Sequence, residues 1–176
     1  MAAQNVRRTY LSLRSSARRV KLPCSFTGKP DGAYPRGALI RDSAGNLYGN
    51  TQQGGTGAFY GYGLTFKIGP GNHEAILHTF SGSWDGAYPT ATLIMDSSGN
   101  LFGTAQMGGD GFESAGHGLV FKLDGATGRE TALYTFTGGI DGSQPVSGVV
   151  TDKAGDLFGT TYEGGSAFGT VFELVQ

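Results

Sequence analysis

Only one cysteine, Cys24, occurs in the 176 residues, so no internal disulfide can staple the chain. The compartment stays open on that count, because many secreted proteins carry no bridge. Histidine is equally scarce: His73, His78 and His117 show no metal-ligand spacing, and the reading calls for no metal and no cofactor. No apolar run approaches the length of a membrane span. No serine sits in a Gly-x-Ser-x-Gly elbow. The Gly-rich GGTGAFYGYG lacks the Lys-Ser/Thr ending of a phosphate loop. Beyond residue 30 no stretch free of Gly and Pro exceeds ten residues, and each interior Gly costs a helix about 1 kcal/mol. Helices of ordinary length are excluded there, and the fold class is all-β.

Acid is missing from the first 30 residues, which hold seven of the 13 basic residues. Residues 31–176 carry all 14 acids and a net charge of −8, a poor face for nucleic acid. The opening residues also lack Gly and Pro. Val6, Tyr10, Leu13, Ala17 and Val20 form one helical stripe, with Arg7, Arg8, Arg14, Arg18 and Arg19 around it. Residues 1–19 read as a basic leader, disordered or helical, and residues 20–176 as the folded region. An organelle transit peptide, or a start codon inside a longer gene, would also explain that leader.

What is present is Gly, 32 copies of it, and aromatics: 11 Phe, eight Tyr and one Trp. Such a chain folds rather than staying disordered. It also repeats. FTGKPDGAYPRGALIRDSAGNLYGNTQQGG, FSGSWDGAYPTATLIMDSSGNLFGTAQMGG and FTGGIDGSQPVSGVVTDKAGDLFGTTYEGG align without a gap from residues 26, 80 and 136. Each is followed by a variable loop and then GLTFKI, GLVFKL or GTVFEL. Alternation predicts four strands per unit, in the second near Leu93–Asp96, Leu101–Ala105, Leu119–Leu123 and Thr131–Phe136. Four-stranded antiparallel repeats of this length predict β-propeller-type blades. The repeats fall near 26–79, 80–135 and 136–176. The segment VKLPCSF matches EAILHTF in position, so residues 20–25 are expected to complete the third blade, one blade being shared between the chain ends. Propellers typically have four to eight blades. Three therefore predict self-association of two chains into a six-bladed ring, or further blades of a longer chain.

The succession DGAYP…LI-D-S-GNLFGT…GG…GLVFKL…YTF resembles the GloVer-type bacterial tandem repeats over residues 20–176. The resemblance implies propeller-type proteins that are secreted or at the cell surface, with no established catalytic activity. No apolar secretory signal is evident, which leaves the localisation open and favours a longer reading frame.

Two sets of repeated acids remain. Asp42, Asp96 and Asp152, each three residues before Gly45, Gly99 or Gly155, are read as turn-formers. Asp31, Asp85 and Asp141 precede glycines in loops whose neighbours vary. With Tyr34, Trp84, Tyr88 and Gln144 they make a candidate ligand rim, with glycan as the small ligand. The expected function is a non-enzymatic binding or scaffold module. The alternatives are a propeller lyase or glycoside hydrolase, using Asp85 with Asp141, and a structural fragment with no activity of its own.

Overall fold

A computed structural model describes residues 21–57, 60–111 and 116–176. The basic leader expected over residues 1–19 lies outside the described residues. The described chain contains no helix and forms three antiparallel sheets in succession. The first holds β1 (Ala33–Arg41), β2 (Leu47–Gln53), β3 (Leu64–Ile68) and β4 (Glu74–Thr79). The second holds β5 (Ile94–Met95), β6 (Leu101–Ala105), β7 (Leu119–Leu123) and β8 (Glu130–Thr135). Among the described residues the third has three strands, β9 (Val150–Thr151), β10 (Leu157–Thr160) and β11 (Val171–Leu174), with β11 at its edge.

Local chemistry explains the meander. In β6 and β7, Gly103 faces Phe121 across the ladder, and a Cβ on Gly103 would lie 2.7 Å from the Phe121 ring and 2.8 Å from Leu93. The glycine of NLFGT is therefore the space that the phenylalanine of GLVF fills. Gly49 with Phe66 and Gly159 with Phe172 repeat the arrangement. Bulges recur as well: Leu77 and Leu133 are skipped in the pairing of β3 with β4 and of β7 with β8.

Successive sheets share cores. Phe80 ends the first sheet yet packs on Phe121 of the second, ring centroids 5.2 Å apart, within a cluster that includes Tyr62, Leu93 and Leu101. Phe136 packs on Phe172 of the third sheet, also at 5.2 Å, beside Val120, Val149 and Leu157. Hydrogen bonds cross the same boundaries. Asn50 donates to the Ala91 carbonyl and Thr104 to that of Ser147, while the Ala38 amide donates to the Thr92 hydroxyl.

Two sequence expectations need correction. The inner strand near Leu93–Asp96 is only Ile94–Met95, preceded by an isolated bridge between Ala87 and Met107. Between them the Ala91 carbonyl and the Thr92 hydroxyl accept bonds from Asn50 and Ala38 of the preceding sheet. Nor do the described residues 21–25 form a strand of this chain's third sheet. Among the described residues Cys24 and Phe26 lie against the first sheet instead, Phe26 stacking on Phe66 at 4.9 Å and Cys24 donating to Glu74. Among the described residues no core cluster joins the third sheet to the first.

Replacing Gly103 with Val fills space already occupied by Phe121 and Leu93. We expect a stability loss of about 1–3 kcal/mol, typical of overpacking, measured by urea unfolding.

Candidate functional site

The two sets of repeated aspartates hold turns. Asp42, Asp96 and Asp152 accept amide bonds from the residues that follow: Asn46 at 2.8 Å; Ser98 and Asn100; Ala154, Gly155 and Asp156. The Asn46 and Asn100 side chains add a second bond to their aspartate. Gly45, Gly99 and Gly155 take positive φ. Burial opposes ionisation of Asp96, but the Asn100 side chain and the amides of Asn100 and Ser98 outweigh it and hold its carboxyl below the usual range.

Asp31, Asp85 and Asp141 bond back by four residues, to the amide and hydroxyl of Thr27, Ser81 and Thr137. Asp85 also meets His78 Nε2 at 3.2 Å, and Asp141 accepts from the Tyr134 hydroxyl at 3.0 Å. Desolvation works against both charges, yet these bonds prevail and both carboxyls are held low. Trp84 is exposed, its ring lying over Gly111. Tyr34, Tyr88 and Gln144 share one unusual backbone, φ near 55°, immediately before a proline. There the Tyr88 amide donates to the Tyr62 carbonyl of the preceding repeat, and the Gln144 amide to that of His117.

That kink directs the residues after it toward a cleft of about 510 Å³ lined by Arg36, Gly37, Gln52, Thr90, Gln106 and Val146. All three repeats contribute. Arg36, Thr90 and Val146 are equivalent positions after the proline, as are Gln52 and Gln106 after Thr51 and Ala105. Gln106 donates to the Gln144 side chain at 3.3 Å. The Thr90 hydroxyl oxygen is buried with no hydrogen-bond partner in the protein. A second cleft, about 450 Å³, adjoins the first through Arg36 and Gln52 and adds Tyr34, Gln53 and Tyr60. Of the residues expected at a ligand rim, Tyr34 reaches these clefts and Gln144 touches one through Gln106. Asp31, Trp84, Asp85 and Asp141 are not among their lining. Arg36, Gln52, Thr90 and Gln106 were missed. Variation is a signal for one series alone: Arg36, Thr90 and Val146 differ from copy to copy after a proline that does not, whereas Gln52 and Gln106 are identical.

Among the described residues no group of three or more His, Cys, Asp or Glu side chains is placed to hold a metal ion. No helix among them is long and apolar enough to cross a membrane.

Three sheets built from one repeated unit, with a cleft where the repeats differ, define an all-β tandem-repeat protein. The chain belongs to the Gloeobacter/Verrucomicrobia repeat family, whose model matches residues 4–176. No curated protein matches it. Among solved structures it is similar to a crystal structure of a protein provisionally assigned as a gluconolactonase, at 15% identity and a TM-score of 0.42. The match covers 78% of this chain and 47% of that one, so this chain spans about half of its length.

Away from the cleft, burial pushes the Glu130 carboxyl up to about 7, the nearby Asp85 charge adding to the rise and His78 opposing it. One Glu130 carboxyl oxygen is buried without a partner. The folded state holds this proton more tightly than the unfolded chain, whose glutamate titrates near 4.5. Its stabilising contribution is complete below that value and is lost as the pH climbs through about 7. We expect Glu130→Gln to flatten the decline in melting temperature over that window and to raise it above pH 7, read by thermal unfolding across pH.

Proposed function

We propose that this chain is a propeller-type binding module whose cleft at Arg36, Gln52, Thr90 and Gln106 takes a polyhydroxylated ligand, a glycan. The observation that supports it most is the composition of the cleft. It gathers one guanidinium and two amides from the first two repeats, with Thr90 beside them, Val146 of the third as an apolar wall, and no carboxylate. Amide and guanidinium groups are planar forks that reach adjacent hydroxyls in pairs. Four-stranded antiparallel units in succession suit a propeller, a scaffold that presents such sites on rigid strands. Secretion or cell-surface display accords with the family resemblance.

An enzymatic reading has less support. Asp85 and Asp141 both stay ionised and are engaged by their own turns, whereas glycoside hydrolysis needs one carboxyl kept protonated. Glu130 is held high, but neither cleft includes it.

Screening on a glycan array, followed by calorimetry on the best ligand, tests the proposal. Arg36→Ala and Gln106→Ala are each expected to weaken binding about tenfold, roughly 1.4 kcal/mol. Trp84→Ala should leave binding unchanged. Affinity lost with Trp84 but kept without Arg36 would move the ligand to the outer loops and sink the cleft.

A further inference from the structure

The boundaries between successive sheets are built from the same contacts twice, and both halves of that contact set stand uncovered at opposite ends of the row. On the trailing side of a sheet, Tyr62 is 6% exposed and its ring occupies the space beside Gly82 of the next repeat. The ring of His117, an exposed residue, occupies the equivalent space beside Gly138. Phe168, the third member of this series, is 98% exposed, while the first member of the glycine series, Gly28, has nothing within 4 Å of where a Cβ would stand. Likewise Val120 is fully buried against the third sheet, whereas its counterpart Val171 is 82% exposed. On the leading side Leu93 is 1% exposed and Leu39 is 51%. Pro89 and Pro145 are buried against Gly63 and Gly118, but Pro35 is exposed.

From these pairs we infer that a second copy of this chain docks head to tail. Phe168 of one copy enters the cavity beside Gly28 of the other, a space of about 620 Å³ bounded by Phe26, Lys29, Tyr34, Pro35 and Tyr60. The contact is heterologous, one surface meeting a different one. Its backbone bond is the third of a kind. The Tyr34 amide, matching Tyr88 and Gln144, donates to the Phe168 carbonyl of the other copy, matching Tyr62 and His117.

The same docking lays Lys21–Ser25 of one copy along the open edge of β11 in the other as the missing fourth strand. Three features of that segment fit. Phe26 stacks on Phe66 as Phe80 does on Phe121, so the residues before it are aimed where β4 and β8 lie in their sheets. Pro23 falls at the position of Leu77 and Leu133, the bulged residue that proline tolerates. Lys21 falls opposite Glu173, by the register that sets Ala75 opposite Lys67 and Thr131 opposite Lys122. A lysine at all three strand positions would face Lys21 with like charge. Instead the only acid in that series lies where the Lys21 of the other copy arrives.

The number of copies follows from closure. Rings of four to eight sheets are the stable range, and six is the only multiple of three within it. Two copies therefore close on each other through two identical contacts. That count rests on the propeller-type reading, whereas the head-to-tail docking itself does not.

Light scattering on the full chain, with analytical centrifugation for affinity, is the test. The expected mass is twice 18.3 kDa. Phe168→Asp alters an exposed side chain, so it should halve that mass while leaving the β-type circular dichroism intact. Glu173→Lys should raise the dissociation constant several-fold, and adding Lys21→Glu should restore it. A wild-type mass of one chain would assign the two faces to other repeats or another protein and overturn the proposal. So would a dimer that survives Phe168→Asp. Masses of three or more copies would overturn closure by two.

Discussion

Each sheet is fastened to the next by a phenylalanine that belongs to one by chain order and to the other by packing. Phe80 follows β4 directly and is buried on Phe121; Phe136 follows β8 and is buried on Phe172. Burying such a ring is worth roughly 1.5–3 kcal/mol, and the tilted ring pair adds about 0.5–1.5 kcal/mol. Because the anchor is the residue after the outer strand, the chain cannot finish one sheet without beginning the core of the next. Glycine completes the device: a side chain at Gly49, Gly103 or Gly159 would occupy the ring's place. The coupling of NLFGT to GLVF is thus one packing requirement written in two motifs.

How much of this can be read from sequence depends on how far each residue's partner lies. β6, β7 and β8 are legible, because alternation and turn residues are local signals. The inner strand is less so. Ala91 and Ser147 give their carbonyls to a neighbouring sheet, a competition that no local pattern records. The segment before Phe26 is the plainest case. Similarity to EAILHTF gives the segment its place in a repeat but not the sheet it joins, and in the structure it lies against the first sheet. The cleft was hidden for the opposite reason. A search for what the copies share finds turns and cores, whereas Arg36, Thr90 and Val146 stand where the copies diverge.

The repeated acids show why sharing and function separate here. Asp31, Asp85 and Asp141 each bind the amide and hydroxyl four residues earlier, and those bonds leave little capacity for a guest. Desolvation would raise the pKa values of Asp85 and Asp141, and the turn bonds more than offset it. A carboxylate held that way is part of the backbone's hydrogen-bonding, and it must recur wherever the turn does.

A ligand, by contrast, is asymmetric, so a site assembled from equivalent positions can discriminate only where those positions differ. Arg36, Thr90 and Val146 are one such series: a cation, a hydroxyl and an aliphatic at the same place in three copies. The residue two before each of them holds φ near 55° without being glycine, at a cost of order 1–3 kcal/mol apiece. At Tyr88 and Gln144 that backbone is secured by an amide bond to the preceding repeat and a carbonyl bond to the strand alongside. The strained residue is therefore held from both sides, and its position does not depend on the side chain that follows. A scaffold fixed in this way leaves the residues after the proline free to change chemistry without moving, and those are the residues that line the cleft.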